Sequence, residues 1–137
     1  MKFEKVNGSS RHIRVLYDLL QQRIHLISHR GHITIDEHKA FVLNHPYIDW
    51  YIIYANNTPI GSLYTKPDNS IGLNLVRQDK ESLLEIIAFI RLNLQPKAQS
   101  PSLVPNYFYI NTPQSNTDLQ RLLGEIGLLP IQVSYRV

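Results

Sequence analysis

Residues 107–128 read YFYINTPQSNTDLQRLLGEIGL, and the pattern passes from strand through a polar turn into a helix. Tyr107 to Ile110 is an aromatic and β-branched run of strand type, and Asn111-Thr112-Pro113 closes it with a residue that has no amide to donate. Ser115 and Asp118 form a capping pair, after which Leu119, Leu122, Leu123 and Ile126 recur at helical spacing. Gly127 then supplies the left-handed residue on which helices commonly end. Past Pro130, Ile131, Val133, Tyr135 and Val137 alternate with Gln132, Ser134 and Arg136, which predicts a last strand.

The totals bound what surrounds this unit. At 137 residues the chain makes a single domain over residues 1–137, long enough to bury its own core. It contains no Cys, which excludes disulfides, thiolate metal sites and cysteine nucleophiles. The N-terminus MKFEKVNGSS lacks an apolar signal core and no apolar run reaches the length of a membrane span, so the expectation is a soluble cytoplasmic protein without a membrane partner. Fourteen basic against eleven acidic residues give a net charge of +3, and no basic stripe or aromatic cluster accompanies it, so no nucleic-acid partner is expected.

From the N-terminus, Lys2 to Val6 can serve as a first strand ended by Asn7-Gly8, and Ser9 or Ser10 can cap a helix that buries Ile13, Leu16, Leu20 and Ile24. His25, His29, His32 and His38 cluster loosely, but Gly31 interrupts them and no His-Glu-x-x-His pattern occurs, so no metal site is assigned. Thr34-Ile35-Asp36-Glu37 is a capping box that opens a second helix, with Ile35, Phe41 and Val42 buried, His38 at the border of the buried face, and an end before His45-Pro46. Trp50 to Ala55, Ile60 to Thr65 and Ser70 to Val76 are β-rich runs separated by short polar turns, which predicts an antiparallel meander. Lys80 to Leu94 is apolar around most of its circumference and reads as a central buried helix, followed by an exposed Pro-rich connection from Gln95 to Pro105.

The resulting order, β-α-α-β-β-β-α-β-α-β, resembles that of the GNAT superfamily of N-acetyltransferases along essentially the whole chain. Asn116 and Gly127-Leu128 match the family's C-terminal half, and Pro59-Ile60-Gly61 and Ile71-Gly72 resemble its third and fourth strands. The segment ITIDEHKAF is similar to the second helix of the branch that acetylates nucleotide-linked amino sugars. The fold implied is α/β, a mixed, mainly antiparallel sheet of about six strands with helices on both faces.

The activity implied is transfer of an acetyl group from acetyl-CoA to a primary amine of a small molecule such as an amino sugar; a homodimer is left open. In the family the fourth strand's backbone pairs with the pantetheine arm, and a Gly-rich turn opening the next helix holds the pyrophosphate. Helix N-terminal amides and glycine's small profile suit that anion. The positions this implies for cofactor are Leu75, Val76, Arg77, Gln78, Lys80 and Ser82, with Asn116. The turn here, Val76-Arg77-Gln78-Asp79-Lys80-Glu81-Ser82, contains no glycine, and Asp79 and Glu81 place carboxylates where the phosphate charge belongs. Leu123 stands where many members carry a Tyr that protonates the leaving thiolate. An attacking amine needs a base. His38 is the candidate catalytic base, and Tyr64 and Asn74 are the candidate substrate-binding residues. The alternative reading is a non-catalytic domain of the same fold that binds a partner or small ligand.

Overall fold

The computed structural model describes residues 1–23, 32–98, 100 and 102–137. Strands β1 (Lys2–Lys5), β2 (Asp49–Ala55), β3 (Thr58–Thr65), β4 (Ser70–Leu75) and β5 (Tyr109–Asn111) form one sheet whose spatial order follows the chain. Neighbours from β1 to β4 run antiparallel, whereas β5 is parallel to β4. Turn chemistry sets the first part of this topology. Asn56 and Asn57 both take the left-handed backbone, at φ 51° and 62°, that a two-residue hairpin between β2 and β3 requires. Asn69, at φ 67°, plays the same part at the next turn, closed by a Lys66 amide on the Ser70 carbonyl. The expected meander is therefore present. A parallel neighbour needs a crossover, and helix α3 (Lys80–Asn93) provides it between β4 and β5.

Adjacent residues of a strand point to opposite faces, so the neighbours Ile52 and Ile53 divide the core in two. Ile52 and Trp50 pack with Ile13, Leu16 and Leu19 of α1 (Ser10–Gln21) and Val42 of α2 (Ile35–Leu43). Ile53, Leu63 and Ile71 pack with Ile86, Ile87 and Ile90 of α3 on the other face, and Phe3 stacks on Phe89 at 3.9 Å. Leu83 joins α3 to Leu119, Leu122 and Leu123 of α4 (Thr117–Glu125). Among the described residues no helix is long and apolar enough to cross a membrane.

Tertiary packing changes several expectations. On α1 the buried set includes Leu19 and His12 in place of Leu20, and Ile24 lies outside the described residues. On α2 only His38 and Val42 are buried, while Ile35 and Phe41 are exposed, because α2 rests on α1 and Trp50 along a narrow line. Leu84 of α3 is exposed too, so that helix buries one broad face and not its full circumference. The cap of α4 is Asn116, whose side chain accepts from the Leu119 amide; its own amide bonds the Pro113 carbonyl, a turn that delays the helix beyond Ser115. The sixth strand expected from Ile131 is not formed: β5 is the sheet's last strand, and residues 131–137 are exposed. Alternation makes a segment suited to a ladder, but a strand exists only when another strand satisfies its amides and carbonyls.

Candidate functional site

β4 is bonded to β3 through its even-numbered residues: Val76 N–H reaches the Ile60 carbonyl at 2.9 Å, and Lys66 N–H reaches the Ser70 carbonyl at 3.0 Å. The main-chain groups of odd-numbered residues therefore point the other way, toward β5. That pairing begins at Ser70↔Tyr109 and ends at Gly72↔Asn111, while β4 continues to Leu75. Thr112-Pro113 leads β5 away into α4. β4 therefore runs on past the end of β5, and the backbone of Leu75 has no strand on that side among the described residues.

The N-terminal ends of α3 and α4 are tied together. Asn116 Nδ2 donates to Gln78 Oε1 at 2.8 Å, while Asn116 Oδ1 caps α4. Five of the expected cofactor positions, Leu75, Gln78, Ser82, Asn116 and Arg77, are brought to the same end of the sheet by this link and by α3's first turn. Val76 is there as well, but its amide is already given to Ile60, and Lys80 is exposed on the outer side of the helix start.

The start of α3 already holds a negative charge of its own. Asp79 Oδ1 accepts the Ser82 amide at 2.8 Å, Asp79 Oδ2 accepts the Ser82 hydroxyl at 2.9 Å, and Arg77 Nε donates to the same Oδ2 at 3.0 Å. Arg77 Nη2 completes the cluster on Ser82 Oγ at 3.1 Å. Bonding to the Ser82 amide and hydroxyl, with Arg77 alongside, holds the Asp79 carboxyl below its usual range. The residues that a pyrophosphate would use are engaged with an internal carboxylate. The unpaired end of β4 suits an extended arm with amide groups; the helix start, as folded, does not fit a phosphate.

The expected substrate side lies on the sheet face covered by α1 and α2. Tyr64 lies across Gly72, where a Cβ would run into its ring, and stacks on Tyr47 at 3.9 Å. Trp50 stands edge-on to Tyr47 at 5.0 Å, with His45 and Phe41 against it. Burial and the neighbouring Tyr64 push the Tyr47 hydroxyl pKa up, so it stays protonated. Asn74 sits opposite buried Ser62 on this same face, and its side chain bonds no described residue.

His38 is 5% exposed and packs beside Tyr17 at 5.4 Å. Burial lowers its pKa, while a bond to the Ile13 backbone opposes that shift. A backbone bond that favours the charged ring must be one the ring donates to a carbonyl. Nε2 is buried and has no hydrogen-bond partner among the described residues. Two further nitrogens are buried without partners among the described residues, Trp50 Nε1 in the aromatic cluster and Arg23 Nε, whose guanidinium charge acts on Tyr47. No motif announces them. Only packing shows that an indole and a guanidinium retain donors on the face that carries His38, Tyr64 and Asn74.

His12 is a contrasting case. Fully buried, it accepts the Asn7 amide at 3.0 Å on Nδ1 and donates from Nε2 to Glu4 Oε1 at 2.9 Å, with Arg11 on the same carboxylate oxygen. All its polar atoms are used in fastening β1 to α1. His32 is exposed, and His25 and His29 lie outside the described residues; among those described, no three His, Asp or Glu side chains converge as metal ligands. No protein-family model, no curated protein and no solved structure gives a significant match to the chain.

Proposed function

We propose that this protein is an acetyl-CoA-dependent N-acetyltransferase that acts on a primary amine of a small molecule such as an amino sugar. The observation that carries the reading is the end of β4, which continues past β5 to Leu75 with no strand on that side among the described residues, near two helix starts joined by Gln78 and Asn116. It supplies a strand-like partner for the amides of a pantetheine arm, as in the GNAT arrangement that the element order resembles. On the adjoining face, His38 accepts the proton lost by the amine, and Tyr64 and Asn74 orient the acceptor. Trp50 Nε1 and Arg23 Nε offer donors to acceptor oxygens. In the reaction the amine nitrogen bonds to the thioester carbonyl carbon, the carbon–sulfur bond breaks, and coenzyme A leaves as its thiol.

Calorimetric titration with acetyl-CoA and with free coenzyme A tests this, followed by release of free thiol in the presence of amino-sugar acceptors. The chain's lack of Cys gives that thiol assay no protein background. Absence of heat at millimolar ligand sinks the enzymatic reading. A second reading, a non-catalytic module of the same fold, is favoured by one observation: Asp79 satisfies the helix start with its own carboxylate. On that reading Asp79→Gly leaves coenzyme A binding undetectable, whereas an enzyme gains affinity once the competing charge is gone.

A further inference from the structure

Donors without acceptors gather around one tyrosine ring. Trp50 is 7% exposed, Arg23 is half-buried, and neither Trp50 Nε1 nor Arg23 Nε has a hydrogen-bond partner among the described residues. Trp50 stands edge-on to Tyr47 at 5.0 Å, the Arg23 charge acts on the Tyr47 hydroxyl, and Tyr47 stacks on Tyr64 at 3.9 Å. The Arg23 main chain is fixed at the end of α1, its amide bonded to the Leu20 carbonyl at 3.2 Å. His38, 5% exposed and with its own Nε2 unmatched, lies one helical turn before Val42, which packs in the same cluster as Trp50.

Such an arrangement is costly on its own. A buried donor has given up its water, and a guanidinium taken partly out of water needs an anion. Elsewhere the fold meets this need even at the surface, where exposed Arg11, Arg77 and Arg121 face Glu4, Asp79 and Glu125. Arg23 forms no ion pair among the described residues. A carboxylate matches what is left open: its two oxygens accept from two N–H donors, and its single charge answers one guanidinium. A phosphate dianion brings a third oxygen and a second charge that an indole and one guanidinium leave unanswered. The rings of Tyr47 and Trp50 add apolar surface beside those donors, which suits an apolar body on the ligand.

We propose that Arg23 and the Trp50 indole bind the carboxylate of an amino acid whose apolar side chain lies against Tyr47, with its amine directed to His38. The small primary amine acceptor is thereby narrowed to an amino carboxylic acid. This narrowing rests on the acetyl-transfer reading for the fate of the amine, whereas carboxylate binding itself requires no cofactor.

Trp50 is the only tryptophan of the chain, so its fluorescence reports on the site directly. Phenylalanine and phenylalaninamide, titrated without cofactor at about pH 6, where both amines keep their proton, differ only in the carboxylate. The parent is expected to bind phenylalanine roughly tenfold or more tightly than the amide, the worth of a charge-assisted bond. Arg23→Gln is expected to bind the two alike, and Arg23→Lys, which keeps the charge, to retain part of the preference. Trp50→Phe, followed by calorimetry, is expected to weaken phenylalanine more than phenylalaninamide; should Arg23→Gln misfold, this variant decides. No response to phenylalanine, equal affinity for both probes in the parent, or a preference unchanged by these substitutions overturns the proposal. Phenylalanine binding without heat from acetyl-CoA upholds the carboxylate site and sinks acetyl transfer alone. Thiol release with amino sugars but not with phenylalanine overturns the amino-acid acceptor and leaves acetyl transfer standing.

Discussion

Histidines His12 and His38 are both buried, and their hydrogen bonds give them opposite uses. His12 has a partner on each ring nitrogen and serves the fold; His38 keeps a buried Nε2 without a partner among the described residues, and burial lowers its pKa. Replacing His38 by Asn is expected to lower kcat/KM roughly 10²-fold, the range of general-base catalysis. Burial keeps its pKa below 6.5, so the parent's activity is retained through neutral pH and falls on acidification below that value; a pH–rate profile of the variant lacks that limb. Glu4 gives a stability prediction. Bonds from Arg11 and then His12 lower its carboxyl from 4.5 to about 2. A depressed carboxylate stabilises the fold fully above its unfolded value and loses that contribution as pH falls from 4.5 toward 2. Glu4→Gln therefore lowers Tm at pH 7, and thermal melts of the two proteins converge only as the pH falls to about 2. At Gly72, substitution by Ala forces Tyr64 off the sheet and is expected to cost about 1–3 kcal/mol in denaturant titration.

At the scale of elements, the start of α3 shows how one carboxylate changes the use of a helix. Free N-terminal amides attract an anion, and Asp79 has taken that position with Ser82 and Arg77 as its partners. Asp79→Ala is expected to destabilise the protein by about 1 kcal/mol, the usual worth of an N-cap, measured as a shift of the urea midpoint. The Pro-rich connection is held by comparable economy. Buried Asn69 donates to the Lys97 and Pro105 carbonyls at 3.0 and 2.7 Å and accepts the Lys97 amide at 2.7 Å, so the turn before β4 also anchors the segment that leads to β5. The placement of β5 depends on this asparagine as well as on α3.

The whole molecule is a five-stranded mixed sheet with α1 and α2 on one face and α3 and α4 on the other. Its last strand, β5, pairs with β4 alone among the described residues.

Much of the architecture was legible in the residues themselves. The asparagine turns, the capping box at Thr34, the helix stop at Gly127 and the alternation of the meander are local signals, set by backbone sterics and by side chains reaching a few residues along the chain. Asp79 was also readable as a carboxylate in a phosphate's place. Other features depend on residues far apart in sequence. The burial of His12 rests on Glu4, and the exposure of Phe41 and Ile35 on how little of α2 meets the sheet. Unpartnered donors on Trp50 and Arg23 are defined by what does not pack against them. The alternation from Ile131 to Val137 is the sharpest division between the two levels. Sequence made that stretch fit for a strand, but a strand exists only where another takes up its amides and carbonyls, and none of the described strands pairs with it.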